Sequence, residues 1–247
     1  MGPLTVDALD VGLLMVVAFF ASIISASSGF GGGLLITPFL IPIVGVKGVV
    51  PVMAVAMMLG NFSRVWVYRT EVRLRYAARI ALCVLPGVVL GTLIFQRLPP
   101  RALAIIIGCF LIGSVPLRRL LRGKPLQLSG VKLPVIGVGF GVLTGSTPGA
   151  GVLLLSLLLG TGLTGPALIG TDAVIGITVH MTKAVMFSSL DLLDSSRAML
   201  GLMIGIATIP GAYAARWLLT RLSVKVHTTI TEILVVIAGL SFFWRAL

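Results

Sequence analysis

The sequence predicts an all-α polytopic membrane protein: two inverted repeats of about five transmembrane segments each, with glycine-broken helical hairpins. Composition is the first reason: of 247 residues, 57% are hydrophobic and 11% charged, and mean hydropathy is +1.14. Apolar runs this continuous leave no polar face for water. The second reason is repetition. Ser28-Gly29-Phe30-Gly31-Gly32-Gly33 returns as Ser146-Thr147-Pro148-Gly149-Ala150-Gly151, and Pro86-Gly87 with Arg97-Leu98-Pro99 returns as Pro210-Gly211 with Arg221-Leu222-Ser223. Two membrane-embedded repeats, each opening on a broken hairpin, are the pattern of a transporter whose site lies between its halves.

In chain order, apolar segments fall at 11–27, 33–45, 48–63, 77–96 and 102–117, then at 133–147, 151–161, 167–188, 198–219 and 227–243. No Lys or Arg precedes the first run, so Val11 to Ile24 reads as a membrane segment and not a cleaved signal. The segments after the glycine breaks are short, about 16–20 Å of helix at 1.5 Å per residue, whereas a crossing needs about 30 Å. If each is counted as a crossing, the repeats are inverted. If each is re-entrant, the count is four per half and the repeats are parallel. The organisation is one integral membrane domain: a first repeat at 1–117, a basic cytoplasmic linker at 118–132 and a second repeat at 133–247.

The net charge of +12 is not a nucleic-acid signature, because the basic residues sit in short loops without interleaved aromatics. Arg64 to Arg79, Arg118 to Lys132 and Arg216 to Lys225 hold thirteen of the nineteen Lys and Arg residues, and all fall on one side. That side is the expected cytoplasm. Both termini then lie outside, with Lys47, Arg97, Arg101 and Arg197. Cys83 and Cys109 fall in apolar segments and read as small buried residues.

Gly31, Gly32, Gly33, Gly149 and Gly151 expose backbone groups that lipid cannot satisfy, so they must be buried in protein or line a wet cavity. A short helix starting at Gly33 or Gly151 would aim its N–H groups at an anion. Close helix packing through small residues explains the same glycines. The richest polar set is Thr171, Asp172, Thr178, His180, Thr182 and Lys183. Asp172, Gly176, His180 and Lys183 share about 80° of one helix face, which cannot look at lipid. Lys183 is read as a point charge for an anion, and Asp172 and His180 as carriers of a coupled proton. An Asp172–Lys183 pair, or Lys183 snorkelling outward, is the structural alternative. The matching first-half stretch supplies Asn61 and Ser63 as hydrogen-bond donors and Arg64 as an oxyanion clamp, or as a plain positive-inside residue. Glu232 is expected to pair with Lys225 or Arg221, with a proton-carrying role as the alternative. No metal set, nucleophile motif or Walker A sequence is present, so no cofactor and no enzyme activity are expected. The partners expected are a small anion, protons and the bilayer; the apolar exterior fits a monomer or a homodimer alike.

SGFGGGLLITP at 28–38, Gly170-Thr171-Asp172, and the Arg97 and Arg221 loops make the chain resemble the TauE/SafE sulfite exporter family over residues 10–245. The resemblance implies export of a small sulfur-containing anion, sulfite or an organosulfonate, across a bacterial inner membrane. Three positions depart from the family pattern: Ala150 in the second glycine motif, Ala54 to Met58 in place of a Thr-Ser stretch, and Asp172 in place of Ser. A passive anion channel, an intramembrane enzyme using His180 and Asp172, and a structural assembly protein are the rival readings. Substrate-gradient drive and proton antiport both remain open for the exporter.

Overall fold

The computed structural model describes residues 7–28, 32–121, 132–148, 151, 154, 158, 161–218 and 224–246. Among these, all regular structure is helical. The helices are α1 (Ala8–Ser28), α2 (Gly32–Val67), α3 (Leu74–Arg97), α4 (Pro100–Leu121), α5 (Lys132–Ser146), α6 (Gly165–Ser189), α7 (Ser195–Leu218) and α8 (Val224–Ala246). Gly31 and Gly149 lie outside the described residues. Four helices are long and apolar enough to cross a membrane: α2, α3, the Pro100–Leu117 part of α4, and α6.

The segments expected at 33–45 and 48–63 are two limbs of α2. Gly45 breaks the helix with φ 69° and ψ 169°, a backbone that only glycine adopts without strain. The limbs fold back on each other: a Cβ on Gly33 would lie 3.2 Å from both Met53 Cε and Met57 Sδ. A straight helix would hold Gly33 and Met57 about 36 Å apart. The first limb is therefore a half-length helix of about 18 Å that starts halfway along the second.

Helix directions follow from the contacts. The second limb of α2 runs antiparallel to α6, with Asn61 against Gly176 and Tyr68 against Gly170. α4 runs antiparallel to α8, Gly108 meeting Phe243 and Gly239 meeting Ile112. α3 and α5 run parallel and very close: Gly87 meets Val138 and Gly141, and Gly91 meets Val142 and Gly145. α2 and α7 are also parallel, with Val52 on Gly201 and Ala56 on Gly205. These directions bring the loop after α2 and the ends of α4 and α7 to one end of the bundle, where the basic segments gather.

The two apolar cores do not follow the two halves of the sequence. One combines α1, α2, α4, α7 and α8 around Leu14, Leu40, Ile107, Ile204 and Phe242, joined by Phe95 and Phe187. The other combines α3, α5 and α6 around Val84, Phe140 and Ile175. Each half therefore contributes helices to the other's core, a single interleaved body. Leu13, Phe20, Leu82, Leu120, Val185 and Leu240 point outward from five different helices, as lipid-facing residues do.

Candidate functional site

The polar residues of α6 sort into three levels along its length. Nearest the basic end, Thr171 Oγ1 accepts a hydrogen bond from the Arg73 backbone N–H at 3.1 Å, tying α6 to the loop after α2. One residue on, Asp172 Oδ2 lies 3.5 Å from Arg64 Nη1. Arg64 also donates from Nη2 to Asn61 Oδ1. Asn61 is buried, and its amide fills the space that a Cβ on Gly176 would need, 2.5 Å from Nδ2. Asn61 and Arg64 on α2 and Asp172 and Gly176 on α6 form one interlocked square. The second oxygen of Asp172 has no partner among the described residues.

His180 occupies the middle level, one turn beyond Gly176 on α6. Its Nδ1 is buried without a partner among the described residues. Thr178 Oγ1 donates to Val174 O at 3.0 Å, and Ser63 Oγ to Gly60 O at 2.8 Å, so both hydroxyl protons are used within their own helices.

Lys183 defines the third level. It is 2% exposed, and Nζ donates to Thr144 O at 2.7 Å and Thr147 O at 3.3 Å. Those carbonyls close the C-terminus of α5, directly before Pro148. A helix leaves its last carbonyls without intrahelical partners and carries the negative end of its dipole there, so an ammonium suits both needs. The expected alternatives for Lys183 are thereby corrected: it neither pairs with Asp172, eleven residues away along α6, nor snorkels outward. Among the described residues, nothing lies within 4 Å of a Cβ added to Gly151.

Of the expected site residues, Asn61, Arg64 and Asp172 meet. Thr171, Thr178 and His180 lie along the same helix, and Lys183 faces α5. Sequence reasoning missed the carbonyl seat at Thr144 and Thr147, although a helix end before a Pro-Gly break signals free carbonyls. It also misplaced Glu232, which accepts from Arg119 Nε at 3.1 Å and Nη2 at 2.5 Å, joining α8 to α4. Arg197 is buried beside Gly48 at the turn of α2 and is held by Asp194, which also caps the start of α7 through the Arg197 backbone N–H at 2.8 Å.

Neither a curated protein nor a solved structure matches the chain. A family model does: sulfite exporter TauE/SafE, over residues 14–242. With almost its whole length matched, the chain belongs to the TauE/SafE sulfite exporter family.

Proposed function

We propose that the chain is a secondary transporter that exports a small sulfur-containing oxyanion, sulfite or an organosulfonate, and that it is built from two inverted repeats of five segments. Family membership supports the substrate class. Three pairs of matched contacts support the inversion. The equivalent helices α2 and α6 are antiparallel, and so are α4 and α8, as an axis in the membrane plane requires and an axis normal to it forbids. In addition, the approach of Gly87 to Val138 and Gly141 reappears between Gly211 and Phe19 and Ser22.

The observation that carries the functional reading is the charge held along α6: Asp172 buried beside the partly exposed Arg64 of α2, and Lys183 buried against the end of α5. Arg64, Asp172 and Lys183 sum to one positive charge inside apolar sequence. Ionisable groups there are retained mostly along transport paths, and a single excess cation suits one monoanion. In this reading Gly31 to Gly33 and Gly149 to Gly151 shape the anion site, with Asn61, Ser63, Thr171, Thr178 and His180 around it. The basic end faces the cytoplasm of a bacterial inner membrane, and both termini face the periplasm.

The test is thermal stability of the detergent-purified protein with sulfite, sulfoacetate, taurine, thiosulfate, sulfate, phosphate and carboxylates, followed by flux in liposomes. A selective stabiliser that also moves across the bilayer is the expected result. Neither stabilisation nor flux with any sulfur anion sinks the proposal. Flux that runs at channel rates with no saturation replaces it with an anion channel.

A further inference from the structure

Lys183 is a cation without a counter-ion. Among the described residues its ammonium is held by two carbonyls, and no carboxylate is paired with it. The surroundings contain little else that titrates. On α6 itself stand His180 and the Asp172 carboxylate, the latter held by Arg64 of α2. Between Ile80 and Gln96, α3 offers only Cys83, and α5 from Leu133 to Ser146 and the chain on to Leu163 carry no ionisable residue. Arginine keeps its proton in any protein setting, whereas a buried lysine can give its proton up. Of Arg64 and Lys183, Lys183 is thus the one that can change its charge.

An apolar interior favours states of zero net charge, because each uncompensated ion there costs several kcal/mol. With the Arg64–Asp172 pair and His180 neutral, two states meet that condition. In one, Lys183 is protonated and an anion is bound; in the other, Lys183 is neutral and the site is empty. The mixed states, an anion beside neutral lysine or ammonium beside an empty site, are charged and disfavoured. We propose that Lys183 carries the coupled proton, and that anion and proton cross together, in the same direction and one for one. The seat on Thr144 and Thr147 links this charge to the glycine break. The ammonium pins the end of α5 beside Pro148, and deprotonation weakens that hold. This inference rests on the exporter reading and adds to it the direction and carrier of the proton.

The test uses purified full-length protein in liposomes loaded with methanesulfonate, which is permanently ionised, and a trapped pH dye. Sulfite and sulfoacetate run in parallel, and potassium with valinomycin sets the potential. Efflux should alkalinise the lumen at a rate that does not follow the potential. Lys183→Arg, always charged, should retain methanesulfonate exchange across the membrane yet lose net efflux by about tenfold or more, the effect of roughly 1.4 kcal/mol on a rate-limiting barrier. Lys183→Met, never charged, should lose both. Luminal acidification, flux that follows the potential, or net efflux by Lys183→Arg equal to the unaltered protein overturns the proposal. So does anion flux without proton movement, which leaves the exporter reading standing; absence of flux for all three anions removes both. Should either variant fail to fold, the dye and potential measurements on the unaltered protein decide alone.

Discussion

The close backbone contact between α3 and α5 gives the sharpest stability prediction. On α5, Gly139 and Gly141 are two residues apart and both helical, yet a Cβ on Gly139 meets nothing within 4 Å. One on Gly141 lands 2.2 Å from Val84 O and 2.8 Å from both Gly87 Cα and Val88 N. All three neighbours are backbone atoms of α3, so no side chain can swing aside. Bringing them to ordinary contact moves the two helices about 1 Å apart, and overpacking of this kind costs about 1–3 kcal/mol. Replacing glycine with alanine returns up to ~1 kcal/mol of helix propensity at either position. Gly139→Ala should therefore be neutral or stabilising and Gly141→Ala destabilising. The propensity gain is common to both, so at about 2–4 °C per kcal/mol for a chain of this size their thermal midpoints should differ by roughly 2–12 °C. Scanning fluorimetry in one detergent measures the difference directly. Equal midpoints would refute the close approach of α3 and α5, and with it the parallel register on which the arrangement of the halves depends.

Gly45→Ala should lower the midpoint through backbone strain alone, by the equivalent of about 1–3 kcal/mol, since nothing lies within 4 Å of the added Cβ. Gly45→Asn should lose about as much, because asparagine's tolerance is for the αL basin, and a ψ of 169° lies in a region essentially reserved to glycine. Arg64→Met strands a buried carboxylate and should destabilise by about 3–5 kcal/mol, with partial recovery on adding Asp172→Leu; no recovery would mean that the two residues do not interact. In a cysteine-free background, Thr70→Cys should be labelled by a membrane-impermeant maleimide only from the cytoplasm and Ser189→Cys only from outside. Labelling from the same side would overturn the helix directions.

Much of the fold was legible because membrane helices announce themselves by length and apolarity, and turns by Gly and Pro. The half-length segment after Gly33 was visible as a run too short to cross. Gly45 was not visible as its hinge, because Gly45 and Gly48 look equally suited to a turn and only the backbone conformation distinguishes them. The face of α6 that holds Asp172, His180 and Lys183 was readable from helical periodicity. Which partner each group meets was not, since Arg64, Arg119 and the α5 carbonyls come from elements distant in sequence and a one-dimensional pattern carries no packing register.

That missing register changes the chemistry. By spacing alone, an acid and an amine on one helix face invite a pair, and such a pair would leave the interior neutral with nothing for an anion to do. The structure instead gives Asp172 to Arg64 and seats Lys183 on carbonyl dipoles. A dipole lowers the energy of a buried ammonium without cancelling its charge. The interior is then left one positive charge in excess whenever Lys183 holds its proton, and an anion can relieve that excess. The same residues in the other pairing would make a static strut. In this pairing, an anion site and a proton site become two halves of one electrostatic requirement.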